Sequence, residues 1–136
     1  MKSQLARIAL PGIALVFMAG CSEEPQQVVS FSKDVQPVLA KYCAECHQAG
    51  GAGTDASGFQ VATYDDVMAG TSLGPMVVPS DALSSNLYRL VAGEVHPSIT
   101  MPHGKEKLPA EDIAKIEQWI EQGAKDATAE LEAGMP

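Results

Sequence analysis

The sequence predicts an all-α fold, a few helices joined by long loops, on three observations. In "FSKDVQPVLAKYCAECH" the apolar residues Val35, Val38, Leu39 and Tyr42 recur with the three- and four-residue spacing of one helix face. In "LPAEDIAKIEQWIEQGA" Ile113, Ile116 and Ile120 repeat that period, with Trp119 beside the stripe. Between these segments there is no convincing strand pairing and no internal repeat.

The first segment, "MKSQLARIALPGIALVFMAGC", joins a positive start (Lys2, Arg7) to an apolar run from Ile8 to Met18 that is too short to span a bilayer. Residues 1–20 are therefore expected to be a signal peptide. Ala19 and Gly20 directly before Cys21 resemble the bacterial lipobox, whose Cys is lipidated and becomes the first mature residue, although Met18 stands where leucine is commonest. Several acyl chains, each buried methylene contributing roughly 0.8 kcal/mol, would hold the protein on a membrane. The polar "SEEPQQVVS" that follows has no amphipathic period, so residues 21–30 are read as a lipidated tether.

The folded domain is placed at 31–125. Its first helix is expected from Asp34, as N-cap, into the cysteine motif, with Pro37 tolerated in the first turn where its missing N–H has no partner. "QAGGAGTDASGF" is too rich in glycine for a regular element and is expected as a loop able to lie close against something large. Thr63 with Asp66 forms an acidic capping box for a short helix ended by Gly70. Ser84 is the expected cap of a further helix that carries Leu87, Leu90 and Val91 on one face and stops at Gly93. "LGPMVVPSDA" between them is irregular because of Pro75 and Pro79. The last helix has Pro109 at its first position, Glu111 and Asp112 at its positive end and Gly123 as its C-cap. Residues 126–136 are small and acidic and are expected as a flexible tail.

The 136 residues carry a formal charge of −8, and loss of Lys2 and Arg7 on processing makes the remainder more acidic still. That balance excludes nucleic acid as a partner and favours a basic protein. The domain has few aromatic residues and long loops without ladders, so its own side chains make a thin core. A large internal filler is expected.

"KYCAECHQAG" sets Cys43, Cys46 and His47 together. A zinc site needs four ligands, and only His96 and His103 remain to complete one. A redox disulfide at this spacing follows a strand in a βαβ unit, which this chain lacks. Covalent haem attachment uses C-x-x-C-H: both thiols bond the porphyrin and the adjoining His reaches the iron. Export and the need for a filler favour this third chemistry, with one haem c held by Cys43 and Cys46 and ligated by His47. For the sixth iron position "HPSITMPHGKEKL" offers Met101 in a loop stiffened by Pro97 and Pro102, with His103 and His96 as rivals. A thioether opposite histidine favours Fe(II), raises the potential and leaves no open position. Met68 and Met76 are read as packing residues.

With these residues in place the chain resembles class I c-type cytochromes, and most closely the planctomycete-type cytochrome c domain. The likeness lies in "FSKDVQPVLAKYCAECH", "YDDVMAG", "VVPSDALSSNLYRLV" and "MPHGKEKLPAEDIAKIEQWIEQGA". It implies helices wrapped around one covalent haem, with Cys43, Cys46 and His47 as the attachment motif and Met101 as the sixth ligand. It also implies that the first and last helices cross, bringing Val35, Val38, Leu39 and Tyr42 to Ile116, Trp119 and Ile120. Pro109 departs from the family's usual Ser or Thr cap. The expected function is a monohaem electron carrier, not an enzyme, working as a monomeric periplasmic lipoprotein between redox protein partners. A haem-bearing subunit of a larger oxidoreductase, or a haem sensor or enzyme with an open sixth position, are the alternatives. Lys105 and Lys107 are candidates for a small positive docking patch near Met101, or else two solvated loop lysines.

Overall fold

The computed structural model describes residues 27–126. The expected signal peptide, the expected lipidation site Cys21 and residues 127–136 of the expected tail lie outside the described residues. Among those described, the regular elements are helical: a π-helical turn Phe31–Val35, α1 Gln36–Tyr42, α2 Ala52–Ser57, α3 Tyr64–Ala69, α4 Asn86–Ala92, a 3-10 turn Pro97–Ile99 and α5 Ala110–Glu121. Among the described residues the only extended pairing is an isolated bridge between Thr71 and Gly74. No described helix is long and apolar enough to cross a membrane.

The first helix departs from expectation in a way that Pro37 explains. It begins at Phe31, with Ser30 at the N-cap, and Asp34 lies inside the first turn, its carboxylate accepting from the Ser30 amide at 2.8 Å. A proline removes one amide and crowds the carbonyl four residues back. Here the turn before it is widened, so that the amides of Val35 and Gln36 bond to the carbonyls of Ser30 and Phe31, five residues earlier. The chain thereby extends its helical path upstream of Pro37 and buries Phe31 and Val35.

α5 packs against this widened turn and against α4. Gln122, the C-cap of α5, accepts from the Val29 amide through its side-chain oxygen at 2.8 Å. At the other end of the pair, Tyr42 lies near enough to the Asp112 carboxylate to help hold it below the usual range, after the larger effect of Lys115. The two segments therefore run antiparallel. Val35, Val38 and Leu39 share one buried cluster with Ile116, Trp119 and Ile120, and Tyr42 and Ile113 pack on its edge. The expected stripe is rotated toward Trp119, which is 1% exposed, so the indole sits in the core instead of flanking it. Pro109 is the N-cap, one position before its expected place, and Gly123 follows the C-cap with a φ of 98°.

α3 has the expected capping box: Thr63 Oγ1 accepts from the Asp66 amide and the Asp66 carboxylate accepts from the Thr63 amide. Thr63→Ala removes one side of it, and a loss of about 1 kcal/mol is expected in denaturant unfolding of the holoprotein, with unchanged cofactor spectra. α4 is capped by Ser85 and not by Ser84. Ser85 is fully buried because its hydroxyl is used elsewhere, accepting from the Val78 amide and donating to the Asp81 carbonyl, each at 2.8 Å. That bond pair fixes the irregular Pro75–Pro79 stretch against the start of α4.

Candidate functional site

The Gly-rich stretch after His47 is not a plain loop. Ala52–Ser57 forms a short helix, closed by Gly58 in the left-handed region. Weak intrinsic propensity is overcome by local bonds: the Thr54 amide donates to the Cys46 carbonyl at 3.0 Å, and Ser57 Oγ donates to the Gly53 carbonyl at 2.7 Å. The absence of side chains is used for close approach, as expected, but the large object approached is His47 itself. A Cβ on Gly53 would stand 2.7 Å from His47 Cε1 and 2.9 Å from Nε2, and one on Gly51 would stand 2.4 Å from the Cys46 carbonyl oxygen. Only a glycine at these positions lets α2 lie on the motif.

His47 is held from both sides. Its Nδ1 lies 3.2 Å from the Phe59 carbonyl, and the Phe59 ring meets the imidazole edge-on with centroids 5.5 Å apart. A carbonyl only accepts, so this bond places the proton on Nδ1 and leaves Nε2 as the lone-pair nitrogen. The His47 carbonyl in turn accepts from the Val61 amide at 3.0 Å, so both ends of the residue are tied to the 59–61 segment.

Met101 is carried by the loop after the Pro97–Ile99 turn, and its amide donates to the Leu90 carbonyl of α4 at 3.1 Å. Its side chain is half-buried against the core. Cys43, Cys46, His47 and Met101 all line one cavity of about 410 Å³. The remaining wall is mostly apolar: Tyr42 and Phe59 on the motif side, Leu87, Leu90 and Val91 from α4, and Pro102. His103 and Lys105 supply the polar rim. His96 is elsewhere, its Nδ1 capping the 3-10 turn through the Ser98 amide. Met76 is buried packing, as read from the sequence, and Met68 packs on the core edge.

The other two chemistries of the cysteine motif find little support here. Among the described residues no group of three or more His, Cys, Asp or Glu side chains is placed to hold a metal ion. Burial pushes the Cys43 thiol up to about 11, so at neutral pH it is not the thiolate that disulfide exchange requires. A large, flat, apolar group fits better: two adjacent thiols at the rim, an oriented imidazole lone pair, a thioether, and a hydrophobic wall between them. The residues present therefore fit a covalent haem.

Three parts of the site escaped the sequence reading. Phe59, which orients His47, sits twelve residues downstream with no motif to mark it. Leu90, which receives Met101, was visible only as part of an apolar helix face. Lys105 is exposed and pairs with Glu45 inside the Cys-Cys-His segment, which raises the ammonium and lowers the carboxyl. Lys107 Nζ likewise donates to the Ala92 carbonyl at 2.6 Å. The two lysines thus tie the loop to the protein while remaining exposed.

Residues 43–103 match the family model of planctomycete cytochrome C. The match begins at Cys43 and ends just beyond Met101, so it takes in most of the cavity lining and leaves α1 and α5 outside it. No curated protein and no solved structure matches the chain.

Proposed function

We propose, from that planctomycete cytochrome C match, that the protein is a monohaem c-type cytochrome that carries single electrons between redox proteins at the periplasmic side of a membrane. The observation that carries the reading is the convergence of Cys43, Cys46, His47 and Met101 on one apolar cavity. When bound, the haem supplies the one-electron Fe(III)/Fe(II) chemistry. Cys43 and Cys46 would hold it as thioethers, and His47 and Met101 would ligate the iron. The chain's own work is positional. The Phe59 carbonyl keeps the His47 proton on Nδ1, α2 packs against the ring, and the Leu90 carbonyl holds the Met101 backbone. Leu87, Leu90 and Val91 exclude water, which lowers the reorganisation that accompanies a change of charge.

If the chain is anchored through Cys21, the antiparallel pairing of the first helix with α5 would give the carrier a definite polarity. The described chain begins at Gln27, beside the C-terminal end of α5, whereas the cavity opens beyond Tyr42 at the other end of the first helix. The length of that helical path separates the two by roughly 18 Å. A lipid on Cys21 would hold the Gln27 end within about 20 Å of the bilayer, the reach of six extended residues, and turn the cavity away from it. The electron would then leave toward a partner approaching from the aqueous side.

The test is a redox titration of holoprotein produced in a host that matures c-type cytochromes. The expected result is a haem absorbance that survives denaturation, one haem per chain, and a single one-electron wave. A denatured protein that releases its haem, or two waves, would sink the reading.

A further inference from the structure

We infer that Lys105 and Lys107 are positioning residues that latch the Met101 loop over the cavity, an inference that rests on the haem reading above. The loop from His96 to Lys107 bonds mainly to itself, as in Ile99 N to His96 O, Thr100 Oγ1 to Pro97 O and Lys105 N to Pro102 O. Among the described residues, three hydrogen-bonded ties lead outward from it. One is the Met101 amide to the Leu90 carbonyl. Another is the ion pair of Lys105 with Glu45, sixty positions away between the two attachment cysteines. The third is the bond of Lys107 Nζ to the carbonyl of Ala92, the last residue of α4, where a cation meets the negative end of the helix and an otherwise orphaned acceptor.

The loop also has room to withdraw. A smaller cavity of about 110 Å³ lies behind it, and Met101 and Pro102 line both this cavity and the large one. Lys105 and Lys107 both border the smaller cavity, so each sits where a retreat of Met101 would begin. Gly104, at a φ of 68°, sits between Met101 and the two lysines. With the lysines engaged, one tie reaches the segment that carries His47 and the other reaches α4, and Met101 is held between them.

The latch sets how often Met101 leaves the iron and admits an external ligand, because apparent affinity scales with the fraction of molecules in the open state. Exposed ion pairs are modest, so Lys105→Ala or Lys107→Ala alone is expected to tighten imidazole binding to the ferric holoprotein by about two- to fivefold. The double variant is expected to tighten it by about tenfold, with weakening of the near-infrared band of the methionine-ligated form. Lys105→Arg should restore the wild-type affinity. Raising the salt concentration should mimic Lys105→Ala in the wild type and do much less in that variant. Met101→Ala serves as the reference for a fully open site. If it binds imidazole far more tightly than the wild type while the double lysine variant binds it no more tightly, the latch is wrong and Met101 ligation stands. If Met101→Ala itself leaves imidazole affinity unchanged, the ligation reading falls and the latch falls with it.

Discussion

Met101→Ala is expected to abolish the near-infrared band of a thioether on ferric iron, lower the midpoint potential, and make the reduced protein bind CO at neutral pH. The direction follows from ligand softness: a thioether stabilises Fe(II) more than Fe(III), and its loss favours the oxidised form. If that preference is on the order of a hundredfold, the potential falls by about 120 mV, at 59 mV per decade for one electron. His103 complicates the outcome, because it lines the same cavity two residues further on. An imidazole that swings in to replace the thioether would lower the potential further and block CO. The measurement is therefore made in parallel on Met101→Ala and on Met101→Ala with His103→Ala, and CO binding in the second is the decisive result. A wild-type protein that already binds CO would instead favour the open sixth position of a sensor or enzyme. Since Met101 is tied to Leu90 and half-buried in the cavity, the wild type is expected to exclude CO.

The parts of this molecule legible in the sequence are those where one residue type has one local meaning. That Cys43, Cys46 and His47 share a cavity was legible because spacing alone brings them together, and Met101 stood out because Pro97 and Pro102 stiffen the loop that carries it to the same cavity. The Thr63 and Asp66 capping box was legible for the same reason: both its bonds lie within four residues. What was not legible depends on contacts the chain makes later. Asp34 is a good cap by type, yet burial of Phe31 and Val35 against α5 draws the helix back to Ser30 and turns Asp34 inward. Four glycines argue against a helix at 52–57, but the argument omits the face of His47 on which that helix rests. Ser84 and Ser85 are indistinguishable as caps until the Val78 and Asp81 backbone groups claim the second hydroxyl. Charge was the least legible property of all. The partners of Lys105 and Lys107 could not be read, because neither Glu45 nor the end of α4 is near them in sequence.

The largest effect on stability is expected from Trp119→Ala. The indole is 1% exposed, lies 5.3 Å from the Phe31 ring and 6.4 Å from that of Tyr64, and donates through Nε1 to the Lys125 carbonyl at 2.9 Å. Removing it empties the crossing of the first and last helices, for which losses of about 3–5 kcal/mol are usual. For a domain of this size, each kcal/mol moves the melting temperature by roughly 4–8 °C, so a fall of about 12–40 °C is expected in the holoprotein. Trp119→Phe separates the two contributions: it keeps most of the ring contact and loses the hydrogen bond, so it should lie nearer the wild type than the alanine variant. Because Trp119 does not line the cavity, the spectrum of either variant below its melting transition should match the wild type. A changed near-infrared band in folded Trp119→Ala would mean that the helix crossing also fixes Met101. An unchanged band is expected because α4 stands between them: its buried Leu87 and Val91 join the core, while Leu90 gives its carbonyl to Met101.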